Sequence, residues 1–181
     1  IEEKMDGKLS YFRWNDYHIF AEDLSIRHTI PYRVPARYAL FDVQLGDEYL
    51  SRDDMVDFYL RLRKSSEFLI NVETKDKVSI FNFFVVPELS RGLFEMKDLP
   101  GFLSMYSYYS EGELIEGVVV KPLLTRFITE PTGKLVREEF VSGITQSYLR
   151  SLLIPNKIDP SRRILLRYPD VFLDWKSIYM T

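Results

Sequence analysis

The sequence contains no cysteine among its 181 residues and only two histidines. Without thiols, neither a disulfide framework nor a thiolate metal site is available, and nothing points to an oxidising compartment. Two histidines without any cysteine do not suggest the cluster of nitrogen and sulfur ligands that a zinc site requires. We therefore expect a cytoplasmic setting.

Long hydrophobic runs are also missing. No apolar stretch approaches the roughly 18 residues of a membrane span, and the opening Ile1-Glu2-Glu3-Lys4 is unlike a signal peptide. An excess of basic residues, which proteins that hold phosphate backbones usually show, is lacking because the formal net charge is −3. A local excess remains from Arg150 onward, where six Lys or Arg accompany three Asp. We expect no membrane partner.

Apolar and aromatic residues are abundant instead. The composition is 46% hydrophobic and 15% aromatic, and Tyr and Phe supply most of the aromatics. Such a composition argues against disorder and favours a sheet-rich globule. The length fits a single domain, so we expect one α+β domain.

Periodicity and turn residues predict the elements of this domain. A Ser51 cap with an acid three positions later predicts a helix from about 52 to 65. Strands are expected at 9–13, 17–22, 38–45, 68–72, 78–86 and 114–121, with 123–129 pairing with the last of them. Further helices are expected at 91–98, 138–152 and 161–168, and a turn at 131–133.

Two short segments indicate chemistry: Lys4-Met5-Asp6-Gly7 and Glu116-Gly117-Val118-Val119-Val120-Lys121. The first pattern alone is weak, and the second has a plausible structural explanation as a buried strand with charged ends. Together and in this order they argue against a purely structural explanation. A lysine attacks a phosphate only as a neutral amine, so neighbouring cations or desolvation must favour that form.

Three other residues complete this chemical interpretation. Lys121 and Lys134 are candidates for the neighbouring cations. Glu116 is a candidate ligand for Mg²⁺, which neutralises phosphate charge as pyrophosphate leaves. The two glycines, Gly7 and Gly117, allow the backbone to approach a nucleotide or a neighbouring strand closely.

These motifs resemble those of the covalent nucleotidyltransferases, the superfamily of ATP-dependent DNA ligases, RNA ligases and mRNA capping enzymes. The resemblance covers most of the chain: K-x-D-G matches residues 4–7, and E-G-x-V-x-K matches residues 116–121. It implies that Lys4 is the nucleophile that forms lysyl-AMP. It also implies a nucleotidyltransferase (adenylation) domain of mainly antiparallel sheets flanked by helices, with a nucleotide cleft between them.

The resemblance assigns further roles. Glu22, in Phe20-Ala21-Glu22-Asp23-Leu24, stands where the family's acid binds the ribose hydroxyls, and Phe41 stands where an aromatic stacks on adenine. Lys134 stands at the α-phosphate contact of the fifth motif. The nucleotide-binding set implied by the resemblance is Glu3, Met5, Gly7, Glu22, Phe41 and Val118; the catalytic set is Lys4, Lys121 and Lys134; the metal ligand is Glu116.

The stretch from Glu22 to Tyr32, with His28 inside it, is similar to a subgroup of phage and bacterial RNA ligases. A lone histidine is more often structural than catalytic, and neither His28 nor Arg137 receives a chemical role. The resemblance implies an ATP-dependent RNA ligase that uses ATP and Mg²⁺ or Mn²⁺. Its substrate is RNA with 5′-phosphate and 3′-hydroxyl ends, while protein partners stay unassigned.

Several alternatives stay open at this point. The chain could be the core of a DNA ligase or a capping guanylyltransferase without its OB domain, or a non-catalytic nucleic-acid-binding relative. The arginine-bearing motif that normally separates the first and third motifs is absent, which indicates a compact loop or missing residues near 13–17. Residues before Ile1 are expected to be missing as well. We expect an adenylyltransferase core at 1–150 and a short helical appendage at 151–181.

Overall fold

The computed structural model describes residues 1–130, 132–141, 153–169 and 171–173. It confirms a mixed α+β fold with mainly antiparallel sheets and few helices. No helix in these described ranges is long and apolar enough to cross a bilayer.

Fifteen strands and two α-helices occur in the described residues. The strands are β1 (Glu2–Lys4), β2 (Lys8–Trp14), β3 (Tyr17–Asp23), β4 (Arg33–Val34), β5 (Tyr38–Leu45), β6 (Glu48–Tyr49), β7 (Phe68–Asn71), β8 (Lys77–Ser79), β9 (Phe83–Val85), β10 (Gly117–Val120), β11 (Arg126–Phe127), β12 (Gly133–Val136), β13 (Lys157–Ile158), β14 (Ile164–Arg167) and β15 (Val171–Leu173). The helices are α1 (Arg52–Lys64) and α2 (Glu138–Val141), with 3₁₀ segments at Ile80–Asn82 and Met96–Ser104.

Two sheets form the body of the molecule. The large sheet has the strand order β11-β6-β5-β3-β2-β7-β8, and β9 pairs with β5 in parallel. The small sheet has the order β1-β10-β12 and is antiparallel throughout. Two strand pairs, β13 with β4 and β14 with β15, complete the described structure.

The β2–β3 hairpin is the centre of the large sheet. Asn15 adopts a positive φ of 50° in the Asn15-Asp16 turn, which lets Trp14 pair with Tyr17 at the end of the ladder. Phe12 lies opposite Ile19, and both are fully buried on one face of the sheet. We call this the core face, because α1 packs on it.

Helix α1 forms as its sequence predicts. The Ser51 side chain accepts a hydrogen bond from the Asp54 N–H, which satisfies one of the free amides of the first turn. Basic residues occupy the last turn, where they interact favourably with the helix dipole. The buried residues of the helix are Arg52, Met55, Val56, Phe58, Tyr59 and Leu62.

A bulge interrupts the pairing of β3 with β5. Phe20 pairs with Asp42, whereas Ala21 pairs with Leu40, so Phe41 is an extra residue. Strict alternation would place Leu40 and Val43 on opposite faces, yet both are buried in the same core cluster. The bulge therefore allows Leu40 and Val43 to remain in the core while Phe41 and Asp42 both turn to the other side.

Four sequence predictions of secondary structure are wrong. The expected strand 78–86 is split, because Ser79 caps a 3₁₀ turn at Ile80–Asn82 between β8 and β9. The helix expected at 91–98 is a later 3₁₀ segment, Met96–Ser104. Residues expected at 123–129 to pair with β10 instead contribute β11, which pairs with β6.

The fourth error concerns the C-terminal segment. The helix expected at 161–168 is the strand β14, whose Ile164, Leu165 and Leu166 are buried. In the described part of 151–181 we find the strands β13, β14 and β15 where helices were expected. Of the helix expected at 138–152, Glu138–Val141 is helical and 142–152 lie outside the described residues, as does Pro131 of the expected turn.

Buried Arg52 attaches the β14–β15 pair to the body of the molecule. Its guanidinium donates to the carbonyl oxygens of Val86 and Leu166, at 2.7 Å each, and lies 3.6 Å from Glu2 Oε1. Arg167 donates to Asp53 and Asp57 on α1 at 3.0 Å and 2.8 Å. A cation of the basic C-terminal segment is thus already paired within the molecule.

Candidate functional site

The small sheet brings the two sequence motifs into contact. Lys4, the last residue of β1, lies opposite Gly117, the first residue of β10. The Lys4 ammonium donates a hydrogen bond of 2.5 Å to Glu116 Oε1. The Lys4 side chain is 27% exposed and that of Glu116 is 7% exposed, so solvent reaches the lysine but scarcely the carboxylate. The predicted nucleophile and the predicted metal ligand therefore share one site.

Both motif glycines lie against neighbouring backbone. A Cβ added to Gly117 would be 2.3 Å from the Leu135 carbonyl oxygen on β12. A Cβ added to Gly7 would be 2.8 Å from the Asp23 carbonyl oxygen at the end of β3. The predicted close approach to a neighbouring strand is confirmed for both residues, because either contact excludes a side chain.

We predict that Gly117→Ala destabilises the fold. The added methyl group meets rigid backbone of β12, so the free energy of unfolding should fall by about 3 kcal/mol or more. Chemical denaturation measures this loss. Gly101→Ala is the matched control, because nothing lies within 4 Å of its added Cβ. Equal stability of the two variants would show that β10 and β12 are not packed as described.

The Lys4 side chain lines a cleft between the small sheet and the outward side of the large sheet. The cleft has a volume of about 370 Å³. Its walls include most of the predicted site residues: Glu3, Lys4, Met5, Glu22, Phe41, Lys121 and Lys134. Gly7 and Val118 are not among its lining residues, and Glu116 takes part through its contact with Lys4.

One predicted nucleotide contact, Val118, does not line the cleft, whereas the next residue of β10 does. Val118 is fully buried in a small core with Ile115 and Leu99, and it pairs with Glu3. Val119, on the opposite side of β10, pairs with Lys134 and lines the cleft. Val118, the predicted nucleotide contact, thus does not line the cleft, whereas Val119 does.

Two glutamates beside Lys4 are held in a poorly solvated environment. Burial raises the pKa of Glu22 to about 7, and the charges of Lys4 and Lys134 partly oppose that increase. Burial likewise raises the pKa of Glu116, again opposed by Lys4 and Lys134. Within the described residues, Glu22 Oε2 and Glu116 Oε2 are buried without a hydrogen-bond partner. Both carboxylates can thus accept a hydrogen bond from a ligand or coordinate a cation.

The two lysines predicted to assist Lys4 differ in their surroundings. The Lys121 side chain is 7% exposed, donates to Glu2 Oε2 at 2.8 Å and contacts the Phe41 carbonyl oxygen. Its charge is further compensated by Asp42 Oδ1 at 3.2 Å. Lys134 lines the cleft and forms no ion pair within the described part of the chain. Lys134 is therefore the cation that is available to a ligand.

The sequence interpretation missed a buried charge pair on the far wall of the cleft. Arg126 Nη2 donates to both carboxylate oxygens of Asp42 at 2.9 Å, and its guanidinium lies 4.5 Å from the Tyr49 ring centroid. Asp42 reaches this side only through the β5 bulge. Tyr49 and Phe20, whose ring centroids are 5.8 Å apart, add aromatic surface. The aromatic content of β3 and β6 was the available sequence signal.

Asp6 of the first motif anchors the loop that follows β3. Asp6 Oδ2 accepts hydrogen bonds from the Thr29 and Ile30 amides at 2.7 Å and 3.2 Å, and Asp6 N donates to the Tyr32 hydroxyl. His28 Nδ1 lies 3.7 Å from Asp6 Oδ1, and His28 is buried. His28 thus lies next to Asp6 of the first motif, which fits a role in positioning that motif.

The donor set for a metal ion is small. No group of three or more His, Cys, Asp or Glu gathers in the described residues to hold a metal. Mg²⁺, however, is commonly held by one or two carboxylates together with substrate phosphates and water. The unpartnered Oε2 of Glu116 fits that pattern of ligation.

Comparison of the chain with protein-family models, with curated proteins and with solved structures found no match.

Proposed function

We propose that this chain is an ATP-dependent RNA ligase that forms a covalent lysyl-AMP intermediate on Lys4. The supporting observation is the contact between Lys4 and Glu116 across β1 and β10, at the wall of a nucleotide-sized cleft. The two residues are 112 positions apart in the chain. Their meeting is what the resemblance to covalent nucleotidyltransferases predicts and what no local property of either segment requires.

The first step is attack of the Lys4 amine on the α-phosphate of ATP. Lys4 must first lose a proton, which can pass to water because its side chain is 27% exposed, once a bound nucleotide has loosened the ion pair with Glu116. The N–P bond then forms as the bond between the α-phosphorus and the bridging oxygen breaks, and pyrophosphate leaves. Burial of the site strengthens the electrostatic interactions that stabilise the charge developing on phosphate.

The other side chains of the cleft have complementary tasks. Glu22 accepts hydrogen bonds from the ribose hydroxyls with its unpartnered oxygen, and Lys134 contacts the α-phosphate. The base stacks on Phe41, with Val119 on the opposite wall in place of Val118. A Mg²⁺ or Mn²⁺ ion held by Glu116 would neutralise phosphate charge when bound.

Two transfers complete the proposed reaction. AMP passes from Lys4 to the 5′-phosphate of a polynucleotide, and a 3′-hydroxyl then attacks that phosphate, forms the phosphodiester and releases AMP. The choice of RNA rests on the stretch from Glu22 to Tyr32. In the structure this stretch is tied to the first motif through Asp6, which supports reading the two as one unit.

The direct test is covalent labelling. The protein is incubated with Mg²⁺ and α-labelled ATP or GTP, denatured, and the modified peptide is mapped by mass spectrometry. We expect AMP on Lys4, and loss of the label when 5′-phosphorylated RNA is added. Release by DNA ends alone would favour a DNA ligase, and GMP on Lys4 a capping guanylyltransferase. Absence of label on folded protein would favour a binding protein without catalysis.

A further inference from the structure

The outward side of the large sheet exposes aromatic and apolar side chains interleaved with basic ones. We call it the outer face and define it by the alternate positions of β2, β3, β7 and β8 that point away from α1: Tyr11, Arg13, His18, Phe68, Ile70 and Lys77 lie on it. Tyr11 is 46% exposed, Phe68 50% and Ile70 39%. Antiparallel sheets commonly present polar side chains on their solvated face, so this surface is of the kind that binds a partner.

These side chains form one continuous surface. Arg13 pairs with His18 on one side and with Ile70 on the other, and Ile70 pairs with Lys77. Tyr11 pairs with Phe20, and the two rings meet edge to face with centroids 5.2 Å apart. Because cross-strand pairs lie side by side, the surface runs unbroken from β8 to β3.

The charge of the outer face is positive although the chain as a whole is acidic. Arg13, His18 and Lys77 form no ion pair within the described residues, and the Lys77 ammonium lies 5.1 Å from the Phe68 ring centroid. The outer positions of β2, β3, β7 and β8 carry a single carboxylate, Glu22, which lies at the cleft. Cations among exposed aromatic rings suit phosphates alternating with stackable bases.

The outer face is also continuous with the cleft. Tyr11 and Phe20 belong to both, since they line the cleft and also form part of the sheet surface. A strand lying across Phe68 and Tyr11 would lead to Glu22, which pairs with Leu9 at the end of the hairpin. A polynucleotide on this surface would therefore approach Lys4 from one defined direction.

We propose that the outer face binds a single-stranded polynucleotide, with bases stacked on Tyr11 and Phe68 and phosphates held by Arg13 and Lys77. The inference rests on the proposed function for its biological meaning, because it describes how the strand to be joined reaches Lys4. Its physical basis is separate, since it depends on the outer face and not on Lys4 or Glu116.

The test compares two triple variants by fluorescence anisotropy with labelled 12-nucleotide RNA and DNA oligomers. R13Q/F68S/K77Q removes two charges and one ring from the outer face. The control, R61Q/K64Q/F81S, removes the same groups from exposed positions elsewhere, two of them on α1. We expect the outer-face variant to bind at least about tenfold more weakly, because one base–aromatic stack alone accounts for about that much. The control should bind as the wild type does.

AMP labelling of Lys4 in the same variants separates this inference from the proposed function. Retained labelling with weakened oligomer binding supports both. No labelling in any protein, with binding that still depends on the outer face, removes the ligase proposal and leaves the surface proposal standing. Equal binding by the two variants would overturn the surface proposal, as would absent binding combined with self-association that the outer-face variant abolishes.

Cross-linking of the wild type provides a measurement that does not depend on how the variants fold. An oligomer containing 4-thiouridine is irradiated with the protein, and the linked peptides are identified by mass spectrometry. We expect links within 8–14 or 68–79, the segments that carry Tyr11 and Phe68. Links confined to other segments would contradict the proposed path. RNA and DNA arms show which sugar the surface prefers.

Discussion

Lys4→Ala is expected to abolish covalent labelling by ATP. We expect no neighbouring amine to replace Lys4, because the Lys121 ammonium is held by Glu2 and Asp42, and Lys134, which we assign to the α-phosphate, lacks the contact with Glu116 that Lys4 makes. Removal of a nucleophile that forms the intermediate leaves no route to that intermediate. The measurement is label retained on the denatured polypeptide after incubation with Mg²⁺ and α-labelled ATP.

A conservative variant separates chemistry from structure at the same position. Loss of Lys4 leaves the Glu116 carboxylate buried without its cation, so alanine would also lower stability. Lys4→Arg keeps a positive charge for Glu116 but cannot attack phosphate, since the guanidinium stays protonated. We expect Lys4→Arg to fold like the wild type and to remain unlabelled. Lys8→Ala, an exposed lysine outside the cleft, should label normally.

Persistent labelling of Lys4→Arg would refute Lys4 as the nucleophile. If mass spectrometry then located AMP on Lys134, the roles of the two lysines in the cleft would have to be exchanged. Labelling lost equally in Lys8→Ala would instead indicate that the whole surface, and not one amine, governs nucleotide binding.

Glu3→Gln is expected to stabilise the protein at alkaline pH. Burial raises the pKa of Glu3 to about 7, and both of its carboxylate oxygens are buried without a hydrogen-bond partner among the described residues. The folded protein therefore holds a proton that the unfolded chain, in which Glu3 has its ordinary pKa of 4.5, has already released. Ionisation of Glu3 leaves the free energy of unfolding unchanged below pH 4.5. It lowers that free energy as the pH rises from 4.5 to 7, and the loss persists above pH 7.

The size of the effect follows from the same values. One pKa unit corresponds to about 1.4 kcal/mol, so ionising Glu3 costs at most about 3 kcal/mol of folding free energy at pH 8. Glutamine has the same shape and carries no charge at either pH. In a domain of this size the gain would raise Tm by about 6–12 °C at pH 8. At pH 4.5 the variant and the wild type should melt together.

Thermal denaturation at the two pH values measures this difference, with Glu73→Gln as the control at an exposed position between β7 and β8. The control should match the wild type at both pH values. A Glu3→Gln variant that gains nothing at pH 8 would show that Glu3 ionises inside the folded protein at little cost. In that case water would reach the surroundings of Glu3 and of Val118, the residue opposite it on β10, despite their burial.

Local signals explain what the sequence could predict. The turn at Asn15-Asp16 and the alternation around it define the β2–β3 hairpin, and Ser51 defines the start of α1. Lys4 and Glu116 could be placed together because each lies in a short motif whose partner is known from the resemblance. The hairpin and the helix required no knowledge of a distant contact, whereas the meeting of Lys4 and Glu116, 112 positions apart, was available only from the resemblance.

Non-local pairing explains what the sequence could not predict. Three consecutive valines, Val118 to Val120, have no alternation that tells which side faces the cleft, and only pairing of Val119 with Lys134 decides it. Asp42 enters the cleft because a bulge changes the side to which it points. The strand β14 has a composition that also suits a helix, and its pairing with β15 determines its conformation.

The order of strands in the small sheet has a consequence for how the protein is made. β1 is synthesised long before β10, the strand with which it pairs in the small sheet. Contacts between segments so far apart in the chain form slowly, and a growing polypeptide folds its earlier parts first. We therefore expect the β2–β3 hairpin and α1 to assemble on the ribosome while Lys4 still lacks Glu116. The hairpin and the helix of the nascent protein would thus form before the contact between Lys4 and Glu116.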